Sequence, residues 1–222
     1  VDSSDAAALL VEVGHEVVGV WMRLHDAADR VDGGRKSCCT LDAADDARRV
    51  ADQLKIPFHI QNLEREFAAA VLEPFIGSYL DGETPSPCVG CNTAVKFGAL
   101  VGKGSALFGC EAVATGHYAR RAVSTDGASW RLRTAVDSDK DQTYFLHGLS
   151  SEAIARARFP LGEMTKSEVR DAARARGLAT AEKPESQEIC FVPDGDYRSL
   201  LRSRGWSPKA GEIIDERGDV VG

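Results

Sequence analysis

The first 115 residues switch repeatedly between the spacing of a helix and that of a buried strand, and this alternation restricts the chain to stacked βαβ units. Ser3 to Val13 reads as a helix stopped by Gly14, and Glu16 to Met22 follows as an apolar, β-branched strand. Asp42 to Leu54 carries Ala47, Val50, Ala51 and Leu54 at helical spacing, then Ile56 to Ile60 reads as the next strand. Leu63 to Tyr79 is helical again, with Phe67, Val71, Leu72 and Phe75 on one stripe; Pro74 inside it should kink or end the helix. Helices that separate the strands imply parallel order.

Between Leu80 and Asn92 the chain is rich in Gly, Thr, Pro and Ser and reads as a loop. Asn92 to Phe108 is expected to be a helix weakened by its glycines, and Glu111 to Thr115 a buried strand ending at Gly116-His117-Tyr118. A turn at Ser124-Thr125-Asp126-Gly127 between Tyr118–Val123 and Trp130–Ala135 suggests a hairpin. After Leu149 the pattern changes to short helices, Thr165 to Arg176 and Asp194 to Arg204, divided by Gly177 and a loop around Pro184. The tail, Glu212 to Asp215 and Asp219 to Val221 around Arg217-Gly218, reads as the first hairpin of a β domain. The expected architecture is therefore α/β: a doubly wound parallel sheet over residues 1–150, a small, mainly helical domain over 151–208, and the start of a truncated β domain over 209–222.

A hydrophobic content of 43% fits an ordinary soluble protein. No apolar run reaches membrane-spanning length and no secretion signal opens the chain, so a cytoplasmic location is the default expectation. The chain opens at Val1 without a methionine and closes at Gly222 just after a strand, so both ends read as cut. Six cysteines in that setting point to thiols, metal ligands or redox partners rather than a disulfide framework. A net charge of −7 argues against holding nucleic acid by bulk charge, so a polyanionic partner needs a local basic face.

Val1-Asp2-Ser3-Ser4 heads the first helix, where Asp2 or Ser3 can cap it while backbone N–H groups face an anion; an ordinary N-cap is the plain alternative. The residues look like the end of the Ser-Gly-Gly-x-Asp-Ser pyrophosphate loop of N-type ATP pyrophosphatases. Gly19-Val20-Trp21-Met22 and Ala114-Thr115-Gly116-His117-Tyr118-Ala119 end two strands at the sheet edge where doubly wound folds bind nucleotides. Pro87-Cys88-Val89-Gly90-Cys91-Asn92 and Ser186-Gln187-Glu188-Ile189-Cys190-Phe191 look like two halves of one thiol site.

With these segments, nearly the whole chain resembles the bacterial tRNA-specific 2-thiouridylase family. The match runs through Gly82 to Cys88, Cys91-Asn92, Lys96-Phe97, Ala114 to Ala119, Asp139 to Leu146, Phe159-Pro160-Leu161-Gly162 and Lys183 to Val192. The resemblance implies an adenine-nucleotide α-hydrolase-like domain and ATP-dependent 2-thiolation of a tRNA wobble uridine, with Mg²⁺. It implies Cys91 as nucleophile and Cys190 as persulfide carrier. Val1, Asp2, Ser3, Met22 and Gly116 would bind ATP. Ser86, Pro87 and Cys88 would surround the target base, and Lys140, Asp141 and Gln142 would contact tRNA. A sulfur-carrier protein or cysteine desulfurase would supply sulfur to a monomer without membrane attachment. Two thiols suit that chemistry, because one holds sulfur and the other resolves the S–S bond by thiolate attack. The helix expected after Asn92 would lower the Cys91 pKa.

Other readings remain open. Cys91 and Cys190 could be small buried hydrophobes. Cys88-x-x-Cys91 with Cys190 could hold an iron–sulfur cluster. Cys38-Cys39, beside Gly33-Gly34-Arg35-Lys36, is better read as a flexible loop than as a metal site, and Cys110 as core. Asp139 to Tyr144 reads as the start of a helix. Lys96, Lys166, Arg170, Arg174, Arg176 and Lys183 are candidates for RNA backbone contact, with Lys166, Arg170 and Arg174 on one helical face; solvated surface is the alternative. Asp5, in the first turn, would repel an anion. Among the histidines only His117 lies in a motif. Another adenylating ATP pyrophosphatase, a stress-protein-like nucleotide module and a metal-binding structural domain are the rival functions.

Overall fold

A computed structural model describes residues 1–25, 41–184, 189–192, 195–208 and 210–222, with Leu41 known in its backbone alone. Gly33, Gly34, Arg35, Lys36, Cys38, Cys39, Ser186, Gln187, Glu188 and Asp194 lie outside the described residues.

Helix α1 (Asp2–Glu12) packs through Ala6 and Ala8, which are 2% and 1% exposed, and Gly14 at φ 87° turns the chain out of it. Strand β1 (Gly19–Arg23) is followed by α2 (Leu41–Leu54), whose inner face carries Ala44, Val50 and Ala51. Lys55, in left-handed backbone at φ 57°, ends α2. Strand β2 (Phe58–Asn62) then pairs in parallel with β1, Gly19 against Phe58 through Arg23 against Asn62.

Residues 64–80 run as α3 (Glu64–Phe67), a π-helical turn (Ala68–Leu72) and α4 (Glu73–Leu80). Pro74 stands in the first turn of α4. The expected kink takes the form of that π turn, whose wider spacing relieves the clash of the proline ring with the preceding turn. A second unbroken helical run, 87–108, comprises α5 (Pro87–Gly90), a π segment (Cys91–Ala99) and α6 (Leu100–Phe108).

Strand β3 (Val113–Ala114) pairs in parallel with β6 (Ala157–Arg158), and β4 (Arg120–Val123) with β5 (Trp130–Arg133) as the expected antiparallel hairpin. Helix α7 (Ser151–Arg156) leads into β6. Helix α8 (Lys166–Ala175) begins at a Thr165/Glu168 capping box, and α9 (Tyr197–Ser203) is capped by Asp196. Ile214 and Val220 form an antiparallel bridge near the tail. No helix among the described residues is long and apolar enough to cross a membrane.

Among the described residues the strands form three two-stranded sheets, two of them parallel. The parallel pairs flank a cavity of about 1040 Å³, lined by Val18, Val20 and Met22 on one side and Val113, Ala114 and Thr115 on the other. Beside it lies the largest core cluster, with Leu63, Phe67, Phe75 and Val95 at 0–1% exposure. Each such phenylalanine contributes about 2–3 kcal/mol by leaving water. Leu100 of this cluster, and Val20, Met22 and Val113 packed against it, also line the cavity, so cluster and cavity share a wall.

Candidate active site

Proline at the start of α5 gives up no intrahelical bond, since the first N–H groups of a helix have no partner within it. The loop expected over 80–92 therefore ends at Ser86, and both cysteines behind it lie on helix. Cys88 occupies the first turn and is exposed; Cys91 opens the π segment one turn further in and is half-buried. Cys91 therefore lies inside the helical run rather than ahead of its start, where it was expected. Ser86 is exposed and Pro87 half-buried beside them.

Asn92 holds this helix in place. It is 2% exposed, its Nδ2 donates to the Phe145 carbonyl at 2.9 Å, and its Oδ1 is buried without a hydrogen-bond partner. On the other segment, Val192 N–H donates to the Ile189 carbonyl at 2.9 Å, closing a tight turn that carries Cys190 and Phe191. Phe191 meets Phe67 and Phe75 edge-on at 5.5 and 5.0 Å, a geometry aromatic quadrupoles favour. Cys91 and Cys190, both half-buried, pack against the same core cluster.

The head of α1 forms a second focus. A Cβ on Gly116 would lie 2.6 Å from the Asp2 carbonyl carbon and 2.7 Å from the Ser3 nitrogen, so only glycine lets the end of the β3 segment touch the first turn of α1. Asp2, Ser3, Met22, Gly116, His117, Lys96 and Gln142 all line the cavity, while Val1 stands just before α1. No side chain caps the helix. The Asp2 carboxylate instead receives the Lys166 ammonium at 2.7 and 2.9 Å and the Tyr118 hydroxyl at 3.0 Å, charge-assisted partners that outcompete a backbone N–H.

Residues 138–146 form two 3₁₀ turns, Ser138–Lys140 and Thr143–Leu146, in place of the expected helix start. The reason is Asp141, whose carboxylate accepts from Ala135 N–H at 2.6 Å, Thr143 N–H at 3.1 Å and the Thr143 hydroxyl at 2.8 Å. Gln142 is clamped to Tyr118: its Oε1 accepts Tyr118 N–H at 3.0 Å and its own N–H donates to the Tyr118 carbonyl at 2.8 Å. Lys140 is half-buried. Asp141 and Gln142 are thus both committed to internal bonds, and of the two only Gln142 lines the cavity.

His117 shares a 2.8 Å hydrogen bond with the Thr115 hydroxyl and stands edge-on to Phe159. Burial, assisted by the Lys96 charge, pushes its pKa down to about 3, so the ring is neutral at physiological pH. The basic residues of the later helices differ from the expected exposed stripe. Lys166 is 9% exposed and turned onto Asp2; Arg174 pairs with Asp171 and Glu182, and Lys183 with Asp46. Arg176 donates to the fully buried Asp5 at 2.8 Å and to both Glu12 oxygens at 2.7 Å. Arg176 thus offsets the Asp5 charge in part, while the other Asp5 oxygen, Oδ2, is buried without a hydrogen-bond partner. Asn92, Tyr118 and the Lys166–Asp2 contact escape sequence reasoning, because no local pattern links positions 164 apart.

Among the described residues no three His, Cys, Asp or Glu side chains converge as metal ligands. The iron–sulfur reading of Cys88, Cys91 and Cys190 thus has no converged ligand set behind it among the described residues.

The family model described as the tRNA methyl transferase HUP domain matches residues 1–194. A tRNA-specific 2-thiouridylase MnmA of Geotalea uraniireducens is 51% identical over 226 residues, covering 100% of this chain and 60% of the relative. One from Moorella thermoacetica is 48% identical over 223 residues, covering 100% and 62%, and one from Chloroflexus aggregans 52% identical over 226 residues, covering 100% and 61%. The chain spans about three-fifths of the length of these curated relatives. Its parallel strand pairs, flanking helices and matched residues make it a member of the tRNA methyl transferase HUP domain family, with a Rossmann-like α/β layout.

Proposed function

We propose that this chain carries the catalytic part of an ATP-dependent tRNA-uridine 2-sulfurtransferase. The observation that carries the reading is the common packing of Cys91 and Cys190 on one cluster that shares a wall with the cavity at the head of α1. Residues 1–150 are the nucleotide-binding domain, 151–208 the helical tRNA-binding domain and 209–222 the beginning of a β domain. The names of the relatives, tRNA-specific 2-thiouridylases, support the tRNA and uridine parts of this assignment.

ATP lies with its phosphates toward Asp2 and Ser3 and its base toward Met22 and Gly116. Mg²⁺ would accompany the phosphates and offset their charge; the Asp2 carboxylate at that end is already paired with Lys166 and Tyr118. The target uridine, turned out of its stack, enters beside Ser86, Pro87 and Cys88, while Lys140 meets the RNA backbone. Its C2 oxygen attacks the α-phosphorus and pyrophosphate leaves, which turns a poor leaving group into AMP. Backbone N–H groups at the α1 head stabilise the charge on the departing phosphates. The outer sulfur of a persulfide on Cys190, loaded by a sulfur-carrier protein or cysteine desulfurase, attacks C2 and AMP departs. The Cys91 thiolate then attacks the Cys190 sulfur. The S–S bond to the uridine breaks, its electron pair remains on the 2-thiouridine, and a Cys91–Cys190 disulfide forms, to be reduced by an external thiol.

Cys190→Ser tests the assignment: it should abolish thiolation and leave ATP affinity within about twofold, a change below 0.5 kcal/mol. Normal thiolation by this variant would refute it.

A further inference from the structure

Both acidic residues in the first turn of α1 are met by cations from the two ends of α8. Asp5, fully buried, takes Arg176, the residue after α8, whose side chain keeps 21% of its surface exposed. Asp2 takes Lys166, the first residue of α8, but its side chain keeps 33% of its surface exposed and lines the cavity. The two pairs therefore differ in what they face. One closes an interface; the other stands at the proposed phosphate end of a nucleotide site.

Lys166 is held there firmly. Its backbone N–H donates to Asp137 at 2.8 Å, the capping box of Thr165 and Glu168 sets the start of its helix, and its ammonium lies 5.6 Å over the Tyr118 ring. A lysine only 9% exposed is costly to desolvate, and a hydrophobic residue would join α8 to α1 at least as well. A charge requirement at the helix head accounts for the lysine. An uncompensated Asp2 carboxylate there would oppose the anion that the helix terminus favours.

We propose that Lys166 is a polyphosphate-selecting residue: by cancelling the Asp2 charge at the head of α1 it admits the triphosphate of ATP, and pyrophosphate, to the site. This inference rests on the nucleotide reading above. It assigns Lys166 to the nucleotide rather than to the RNA backbone. Because it acts through Asp2, its effect falls on the β- and γ-phosphates and spares ligands that lack them.

The test measures binding of ATP, inorganic pyrophosphate and AMP to the wild-type protein and to Lys166→Met, Lys166→Arg and Asp2→Asn/Lys166→Met. Lys166→Met should weaken ATP and pyrophosphate about tenfold, the repulsion of one uncompensated carboxylate, and change AMP by less than about twofold. Lys166→Arg should bind all three nearly as the wild type does. The double variant, neutral at both positions, should recover most of the ATP affinity, and it carries the test if Lys166→Met fails to fold. Equal weakening of AMP and ATP, or a double variant as weak as Lys166→Met, would show a merely structural tie and overturn the proposal. A wild-type protein that binds neither ATP nor pyrophosphate would overturn the nucleotide reading and this assignment with it.

Discussion

Arg176→Met should expose how strongly the α1–α8 contact depends on one guanidinium. In the folded protein Asp5 is fully buried and its pKa is raised, with burial the larger cause and Arg176 opposing it. Glu12, the second partner, is 52% exposed on its side chain, so its bonds to Arg176 contribute less than about 1 kcal/mol. The Asp5 side dominates. Removing the guanidinium leaves a buried carboxylate without its counterion, at a cost of about 3 kcal/mol near neutral pH, or roughly 6–12 °C in Tm for a chain of this size. A carboxyl whose folded pKa lies above its unfolded value is relieved by protonation. Its contribution is fully present below the unfolded value of 3.8 and is lost as pH rises through the folded value. The gap between wild type and variant should therefore be small near pH 4 and full near pH 7. Urea unfolding followed by tryptophan fluorescence at both pH values measures it, with Asp5→Asn in the variant background expected to restore most of the loss. A gap below about 1 kcal/mol at pH 7, or one independent of pH, would refute the argument.

Three further outcomes follow from local geometry. Gly116→Ala, whose Cβ would stand 2.6 Å from the α1 backbone, should displace the first turn of α1 and weaken ATP binding at least about tenfold in a calorimetric titration. His117, neutral when folded, favours the folded state fully above about pH 6.5 and loses that contribution as pH falls toward its folded value of about 3. Between pH 7 and pH 5 the wild type should accordingly lose about 2 kcal/mol more than His117→Phe, or about 1 kcal/mol where cavity water screens the charge, as read by urea titration. Lys55→Gly, which relieves left-handed backbone at φ 57°, should stabilise the chain by about 0.5–1 kcal/mol and raise the melting temperature in calorimetry.

The α/β layout was legible because Val50, Ala51, Phe67 and Phe75 fall on helical stripes and are buried. Strand limits were less so: β2 begins at Phe58 rather than Ile56, and β3 is confined to Val113–Ala114, since pairing partners rather than β propensity set where a ladder ends. The cysteine helix was hidden by composition, as Pro87 reads as a breaker inside a chain but as a starter at a first turn. The basic residues of α8 misled for a different reason. Helical spacing places Lys166, Arg170 and Arg174 on one face, but it is blind to Asp2 and Glu182 waiting opposite. The contact that ties Cys190 to the core through Phe191, Phe67 and Phe75 likewise depends on chain return that no local pattern encodes.

The pairing of Cys91 with Cys190 in one thiol site is tested most directly by mild oxidation followed by peptide mass spectrometry. Treatment of the reduced protein with diamide should accumulate a single cross-linked species joining the peptides that contain Cys91 and Cys190, and Cys190→Ser should abolish it. Oxidation that links Cys190 to another cysteine, or leaves Cys91 and Cys190 each alkylated separately and never joined, would contradict the account.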